Sequence, residues 1–447
     1  MEKITIFWHR RDLRLHDNAG LYHALGSSRP VLPLFIFDTD ILDQLTDRKD
    51  ARVEFIHDHV HALSRQLAEL GAAIRVEHGK PFEIWKKLLH TLPIAEVYTN
   101  HDYEPYAIAR DTQIKELLQS HGVEMKTFKD HVIFEKLEIA KDDGKPYTVF
   151  TPYSKKWKIT LKNSLPQGEE DIASSPLWSS YPNGDRFSNF LKTTQDSIPG
   201  LGEMGFERAG ITFPASEVMR DVIRNYDKTR NIPAIQGTSR LGVYFRFGVI
   251  SIREKARHAS RLNETFLNEL IWRDFYAMIL SNFPHVAGHA FRPEYDRIEW
   301  RYDETEFQQW CEGTTGYPLV DAGMRELAST GFMHNRVRMV AASFFTKHLL
   351  QDWRLGEAWF ARKLLDFDLA SNNGGWQWAA GCGTDAAPYF RVFNPVNQQE
   401  KFDKDYEYIK RWIPEFGTAK YPKSIVDHKF ARERCLKTYK DALSQKS

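Results

Sequence analysis

The sequence predicts two domains: an amino-terminal α/β domain on a parallel, doubly wound sheet, and a carboxyl-terminal domain that is all α. Three observations predict this. The chain has 447 residues, whereas a single core stops growing at roughly 250–300 residues. Its first part alternates strand-like and helix-like runs, the pattern of a parallel sheet with crossover helices. Its second half carries helical spacing almost throughout.

The predicted elements follow in order. Residues 4–9 and 31–38 read as buried strands, and 51–70 has helical periodicity. Residues 73–77, 96–100 and 124–128 read as further strands, with helices over 81–92 and 105–121 between them. From about Leu165 to Gly202 Pro, Ser, Gly and acidic residues cluster, as in Gln167-Gly168-Glu169-Glu170-Asp171, and this reads as a surface connection. Beyond it the helix candidates are 251–261, 263–281, 304–312, 320–329, 335–350 and 356–365. The expected organisation is 1–130 for the α/β domain, 131–202 for the connection and 203–447 for the helical domain.

Composition narrows the function classes. With 61 basic and 60 acidic residues the net charge is +1, so no global basic footprint for nucleic acid exists. A local basic groove is still available, because opposite charges can segregate on a surface. Cys311, Cys382 and Cys435 lie far apart without a CxxC pair, which argues against a zinc site or a disulfide framework. The strand-like run begins almost at the first residue, no apolar stretch reaches the length of a membrane span, and a reducing cytoplasmic setting is expected. The 12 Trp and 29 Phe, concentrated in the second half, suit a large helical core or stacking on flat ligands.

Doubly wound sheets bind nucleotides at the carboxyl ends of their strands. Here the first strand is followed by His9-Arg10-Arg11-Asp12-Leu13-Arg14, charged and bulky, with no GxGxxG. A dinucleotide-binding dehydrogenase is therefore excluded for this half. In the second half four segments carry candidate chemistry. Gly237-Thr238-Ser239-Arg240-Leu241 offers hydroxyls, backbone N–H groups and a positive charge to a phosphate, and equally suits a helix N-cap. In 266–276, Glu269, Trp272, Arg273 and Tyr276 share one helical face; they suit a flat polar ligand, or an ordinary Glu269–Arg273 pair. In 333–339, Asn335, Arg338 and Met339 share a face while Arg336 points elsewhere, so the two arginines can serve two tasks. The fourth segment runs from Leu365 to Pro395. Its paired acids, amides, glycines and tryptophans are costly as mere packing, its Asp, Asn and Gly are poor helix formers, and a buried polar ligand would supply the partners its polar groups need.

On these segments the chain resembles the cryptochrome/photolyase family, and within it class I cyclobutane pyrimidine dimer DNA photolyases most. The resemblance spans nearly the whole chain, from Phe7-Trp8-His9-Arg10-Arg11-Asp12-Leu13-Arg14 to Tyr421-Pro422-Lys423, and 372–394 is its most specific part. It implies a Rossmann-like antenna domain and a helical domain that holds FAD bent into a U. Tyr226, Thr238, Ser239, Arg240 and Leu241 would lie near the FAD phosphates, with Gly242 where the family carries a serine. Asp368 would bond near the flavin pyrimidine edge and ribose, Asn372 would face flavin N5, and Arg338 and Asp366 would pair beside the isoalloxazine.

The resemblance also implies light-dependent repair of DNA. Trp272 and Trp378 would hold the flipped-out dimer, Glu269 and Asn335 would bond its base edges, and Met339 would close the pocket. Arg230, Arg336 and Arg391 would grip phosphates around the lesion, while Trp376, Trp353 and Trp300 would pass electrons from the surface to oxidised flavin. The (6-4) photolyases place histidines where Asn335 and Met339 stand, and plant cryptochromes typically carry Asp at the position of Asn372. Both comparisons favour dimer repair over (6-4) repair and over blue-light signalling, the alternative function. Folate-antenna members often carry an Asn-Glu pair where this chain has Tyr106-Ala107, so a second chromophore is left open among folate, deazaflavin, flavin and none. The expected partner is dimer-containing DNA, engaged by a monomer without an obligate protein partner.

Overall fold

The computed structural model describes residues 2–178 and 180–444; Met1, Ser179 and 445–447, which include the ends of the expected spans 1–130 and 203–447, lie outside the described residues. The chain divides into two compact units. One contains Met1–Glu135, Leu161–Ser216 and Leu241–His258, the other Lys136–Thr160, Glu217–Arg240 and Ala259–Ser447. The stretch read as a connection, 131–202, thus contributes residues to both.

In the first unit five strands form one sheet in the order β3-β2-β1-β4-β5. They are β1 (Ile4–His9), β2 (Val31–Asp38), β3 (Arg75–Gly79), β4 (Ile94–Asn100) and β5 (Glu124–Phe128). Every pairing is parallel. Central strands of such a sheet are covered on both faces, and β1 and β2 accordingly read as unbroken buried runs. The strand expected over 73–77 begins two residues later. Ile74 bonds through its N–H and its carbonyl to the side-chain amide of Gln195, so its backbone is satisfied outside the ladder.

Helices α1 (Ala19–Leu25), α2 (Ala51–Glu69), α3 (Pro81–Thr91) and α4 (Pro105–Ser120) belong to the same unit. The sequence reading missed α1, which Asn18 caps by accepting from the Leu21 N–H. Proline, whose missing N–H costs nothing there, occupies the first turn of α3 and α4.

Strand order reverses between β1 and β4, the switch point at which such sheets take ligands. Charged side chains fill the loop after β1. Asp12 accepts from Asn100 Nδ2 at 2.6 Å; burial alone would raise its carboxyl, but His9 pulls it down to about 2. Arg14 donates to both oxygens of Asp130, at 2.9 and 2.8 Å, and Arg253 donates to the same carboxylate at 2.8 Å. Buried charges are tolerated only when paired in this way. Paired side chains therefore stand where a glycine-rich phosphate loop would run.

The helical unit packs around the buried indoles Trp310, Trp353 and Trp376 with Phe344, Phe345 and Phe360. Among its helices are α5 (Glu264–Asn282), α6 (Pro318–Thr330), α7 (Asn335–Ser343), α8 (Trp353–Lys363) and α9 (Leu369–Ala380), of which α5, α7, α8 and α9 line one cavity. The single helix expected over 335–350 is α7 followed by a π-helical turn, Phe344–His348. No helix was expected where α9 lies. Its poor helix formers are outweighed by tertiary bonds. Asp368 caps its start, and Gly381, at φ 88°, takes the left-handed conformation that closes its end. Asn373 Nδ2 donates to the Val286 carbonyl, and Gln377 Nε2 to the Val286 and His289 carbonyls. These two amides are satisfied by protein, contrary to the expectation that a ligand would have to partner the whole segment. Among the described residues no helix is long and apolar enough to cross a membrane.

Candidate active site

α5, α7 and α9 enclose a cavity of about 440 Å³ in the helical unit. That size suits a small-molecule or cofactor site, typically roughly 300–1,000 Å³. α5 contributes Glu269, Trp272, Arg273 and Tyr276, the face its spacing predicted. α7 contributes Asn335, Arg338 and Met339. Asp366, Asp368, Asn372, Trp376 and Trp378 line it from α9 and its approach, and Arg230 completes the wall.

Several of these side chains are held in place. Glu269 pairs with Arg230 at 2.5 Å. Burial raises its carboxyl above the ordinary value even though the guanidinium opposes this. Trp272 stacks on Phe150, with centroids 3.7 Å apart and planes 5° from parallel, so one indole face is already covered. Arg338 donates to Asp366 at 3.1 and 3.0 Å and to the Met333 carbonyl at 2.7 Å. Asn372 Nδ2 donates to Glu357 Oε1 at 2.7 Å, and burial raises that carboxyl. The Asn372 amide is thereby oriented with its N–H₂ toward α8.

Arg336 points away from this set, as its helical position predicted. It donates to Asn231 Oδ1 at 3.2 and 2.8 Å and lies over Phe402. Burial lowers its pKa, and the positive charges of Arg230 and Arg391 lower it further. The charges of Arg230, which lines the cavity, and of Arg391 therefore both reach Arg336. Trp378 lies 6.4 Å from Phe393, and Arg391 is exposed.

Tyr226, Thr238, Ser239, Arg240 and Leu241 do not line the cavity. Tyr226 sits beneath Arg230 and edge-on to Phe266. Arg240 has a left-handed backbone, φ 53°, and its guanidinium lies over Phe332, 4.0 Å from Glu326. A side chain at Gly237 would meet Thr229 at 2.7 Å, so the loop packs too closely there for any other residue. A non-glycine residue in a rare backbone region is the kind of strain that collects at binding loops. Leu241 begins a stretch belonging to the α/β unit.

The three expected redox tryptophans are not in mutual ring contact. Trp376 meets Trp310 edge-on at 6.0 Å, Phe345 at 5.8 Å and Phe360 at 5.0 Å, while Trp300 meets Tyr439 at 5.9 Å. Trp376 also presses on α8 where only glycine fits, since a Cβ at Gly356 would come within 2.2 Å of its ring.

Sequence reading missed Glu357, Asn231, Phe150 and Trp310. Each acts through a partner distant in sequence or on another helix, so no local spacing signals it. Glu357 falls in a predicted helix, where an acidic residue reads as an ordinary exposed one.

The fold and cavity define a class: an α/β unit joined in one chain to a helical unit whose cavity takes a large, flat, polar ligand. Residues 5–170 match the DNA photolyase family and 266–420 the FAD binding domain of DNA photolyase. The chain belongs to the DNA photolyase family, and its helical unit is the family's FAD-binding domain. It is 36% identical to the deoxyribodipyrimidine photo-lyase of Halobacterium salinarum over 98% of this chain and 99% of that one. A bacterial class III photolyase from Agrobacterium tumefaciens superposes with a TM-score of 0.84 at 31% identity, covering 100% of this chain and 98% of that one. An archaeal photolyase from Sulfolobus tokodaii with two FAD molecules gives 0.78 at 32% identity, over 98% and 99%.

The residues present fit FAD. At Gly375, which lines the cavity, a Cβ would meet nothing within 4 Å, so the glycine leaves open space that a flat ring can enter. The Trp376 indole N–H, on the same wall, is buried without a partner among the described residues.

Proposed function

We propose that this enzyme repairs cyclobutane pyrimidine dimers in DNA under light, with the dimer flipped out of the helix into the cavity. Base flipping is the general solution for chemistry on a stacked base, and photolyases are among the enzymes for which it is described. One observation carries the reading. A single cavity is lined by Asn372, Arg338 and Asp366 together with the indoles of Trp272 and Trp378, the half-buried carboxyl of Glu269 and the guanidinium of Arg230, whose charge, with that of Arg391, reaches Arg336.

Bound and reduced, FAD would supply a light-excited electron to the dimer. Asn372 would face flavin N5, Asp368 the pyrimidine edge and ribose, and the Arg338–Asp366 pair the isoalloxazine. Tyr226, Thr238, Ser239, Arg240 and Leu241 would serve the phosphates. Trp272, backed by Phe150, and Trp378 would grip the dimer by stacking and apolar contact. Glu269 and Asn335 would bond its base edges, and Met339 would close over it. Burial shifts the Glu269 carboxyl toward its protonated form although Arg230 opposes this, and in that form it would donate to charge that develops on the dimer.

Arg230, Arg336 and Arg391 would hold phosphates around the lesion. Such contacts position a protein without reading sequence, as a repair enzyme requires. Trp376, Trp353 and Trp300 would feed electrons inward when the flavin is oxidised. In this reading the enzyme works as a cytoplasmic monomer without an obligate protein partner. A second chromophore, if any, is folate, deazaflavin or a flavin.

Binding in darkness tests the reading. An oligonucleotide with one thymine dimer is expected to bind on the order of tenfold or more tighter than its undamaged twin. Trp378→Ala should remove most of that preference, since stacking contributes roughly 1–3 kcal/mol per base. Equal affinity of the wild-type protein for both oligonucleotides would contradict the proposal.

A further inference from the structure

Lys347 is a buried cation that the site as described does not use. It lies in the π-helical turn Phe344–His348, directly after the helix that carries Asn335, Arg338 and Met339, and its residue is 1% exposed. π-Helical turns are uncommon and collect at functional sites. Among the described residues no carboxylate pairs with Lys347. Its Nζ donates instead to the backbone carbonyl of Arg391, at 3.1 Å. The buried thiols of Cys382 and Cys435 and the charge of Arg391 also face it, and burial lowers its pKa to about 8.

The recipient carbonyl lies in the loop that leaves α9, whose Phe393 ring comes 6.4 Å from that of Trp378. Early in that loop Thr384 Oγ1 donates to the Thr148 carbonyl at 2.6 Å. Later in it, Lys347 fastens Arg391. The Arg391 side chain is exposed, and its charge reaches Arg336. A bond from an ammonium is roughly twice as strong as one between neutral groups. Fixing the Arg391 backbone removes part of the ordering entropy that a flexible side chain loses when it closes on a ligand.

We propose that Lys347 is a positioning residue for DNA: from inside the core it holds the Arg391 carbonyl and so aims the Arg391 guanidinium at a phosphate beside the lesion. The inference rests on the assignment of Arg391 to DNA phosphate made above. It also accounts for a buried ammonium, costly in itself, whose hydrogen bond goes to a surface loop.

The test is the salt dependence of dimer-oligonucleotide binding by the FAD-loaded protein in darkness. It compares wild type, Lys347→Met, Arg391→Ala and the double variant. Arg391→Ala should reduce the slope of log K against log salt by about 0.9, the value of one lost phosphate contact. Lys347→Met should reduce it by a similar amount while FAD content and melting temperature remain near wild type. The double variant should lose no more than Arg391→Ala alone, because both substitutions remove one contact. Should Lys347→Met fail to fold, Lys347→Gln carries the test; its uncharged, shorter amide should leave the slope between wild type and Arg391→Ala. An unchanged slope in a folded Lys347 variant, or additive losses in the double variant, would overturn the proposal. An unchanged slope in Arg391→Ala would instead show that the arginine reading itself is wrong.

Discussion

Trp376→Phe is expected to abolish photoreduction of the oxidised enzyme while leaving repair by chemically reduced enzyme near wild type. An indole can give up an electron under conditions in which a phenyl ring cannot. Trp376 is 2% exposed, lines the cavity and meets a second indole, Trp310, at 6.0 Å. On the proposed reading it would relay electrons to the flavin at the cavity wall. The substitution keeps an aromatic ring against Gly356 and Phe360 and should cost about 2 kcal/mol or less of stability, the lower end for large-to-small core changes. The variant should therefore fold and retain FAD. Two readings check it: flavin bleaching under blue light with an external donor, and repair after dithionite reduction. Loss of repair in the second assay would mean that Trp376 serves the repair step or the fold.

Glu269→Ala is expected to lower repair per absorbed photon by roughly ten- to a hundredfold, because a hydrogen bond involving a charged group contributes about 1.5–3 kcal/mol. FAD content should change little. Glu269 is held by Arg230 at 2.5 Å, and its pKa is raised by burial. On the proposed reading, removing it takes a hydrogen-bonding partner of the dimer from the cavity and frees Arg230, so affinity for DNA should fall far less than the yield per photon. Quantum yield and FAD occupancy of the same preparation separate the two roles. FAD loss as the main defect would make Glu269 a structural residue.

What was legible in the sequence follows the range of the signals. The runs 4–9 and 31–38 coincide with β1 and β2, because strands covered on both faces are written as unbroken apolar runs, and 124–128 coincides with β5, a partly exposed edge strand. β3 was misplaced by two residues because Gln195, more than a hundred residues away in sequence, satisfies Ile74. α9 was missed for the same kind of reason. Its local propensity is poor, and its stability comes from Asn373 and Gln377 bonding the loop 286–291. At the site, the i, i+3, i+4, i+7 face of α5 was readable, and so was the opposite pointing of Arg336 and Arg338. The supports were not. Glu357 under Asn372, Asn231 under Arg336 and Phe150 on Trp272 are contacts made only by folding.

The measurement closest to the central claim is a repair assay on purified, FAD-loaded, reduced protein. The substrate is an oligonucleotide with one thymine cyclobutane dimer, incubated in blue light and in darkness. Intact thymines should return in light only, with Trp378→Ala and Glu269→Ala impaired. No repair in light, with FAD bound and reduced, would contradict the account and leave a light-sensing flavoprotein with an unused pocket.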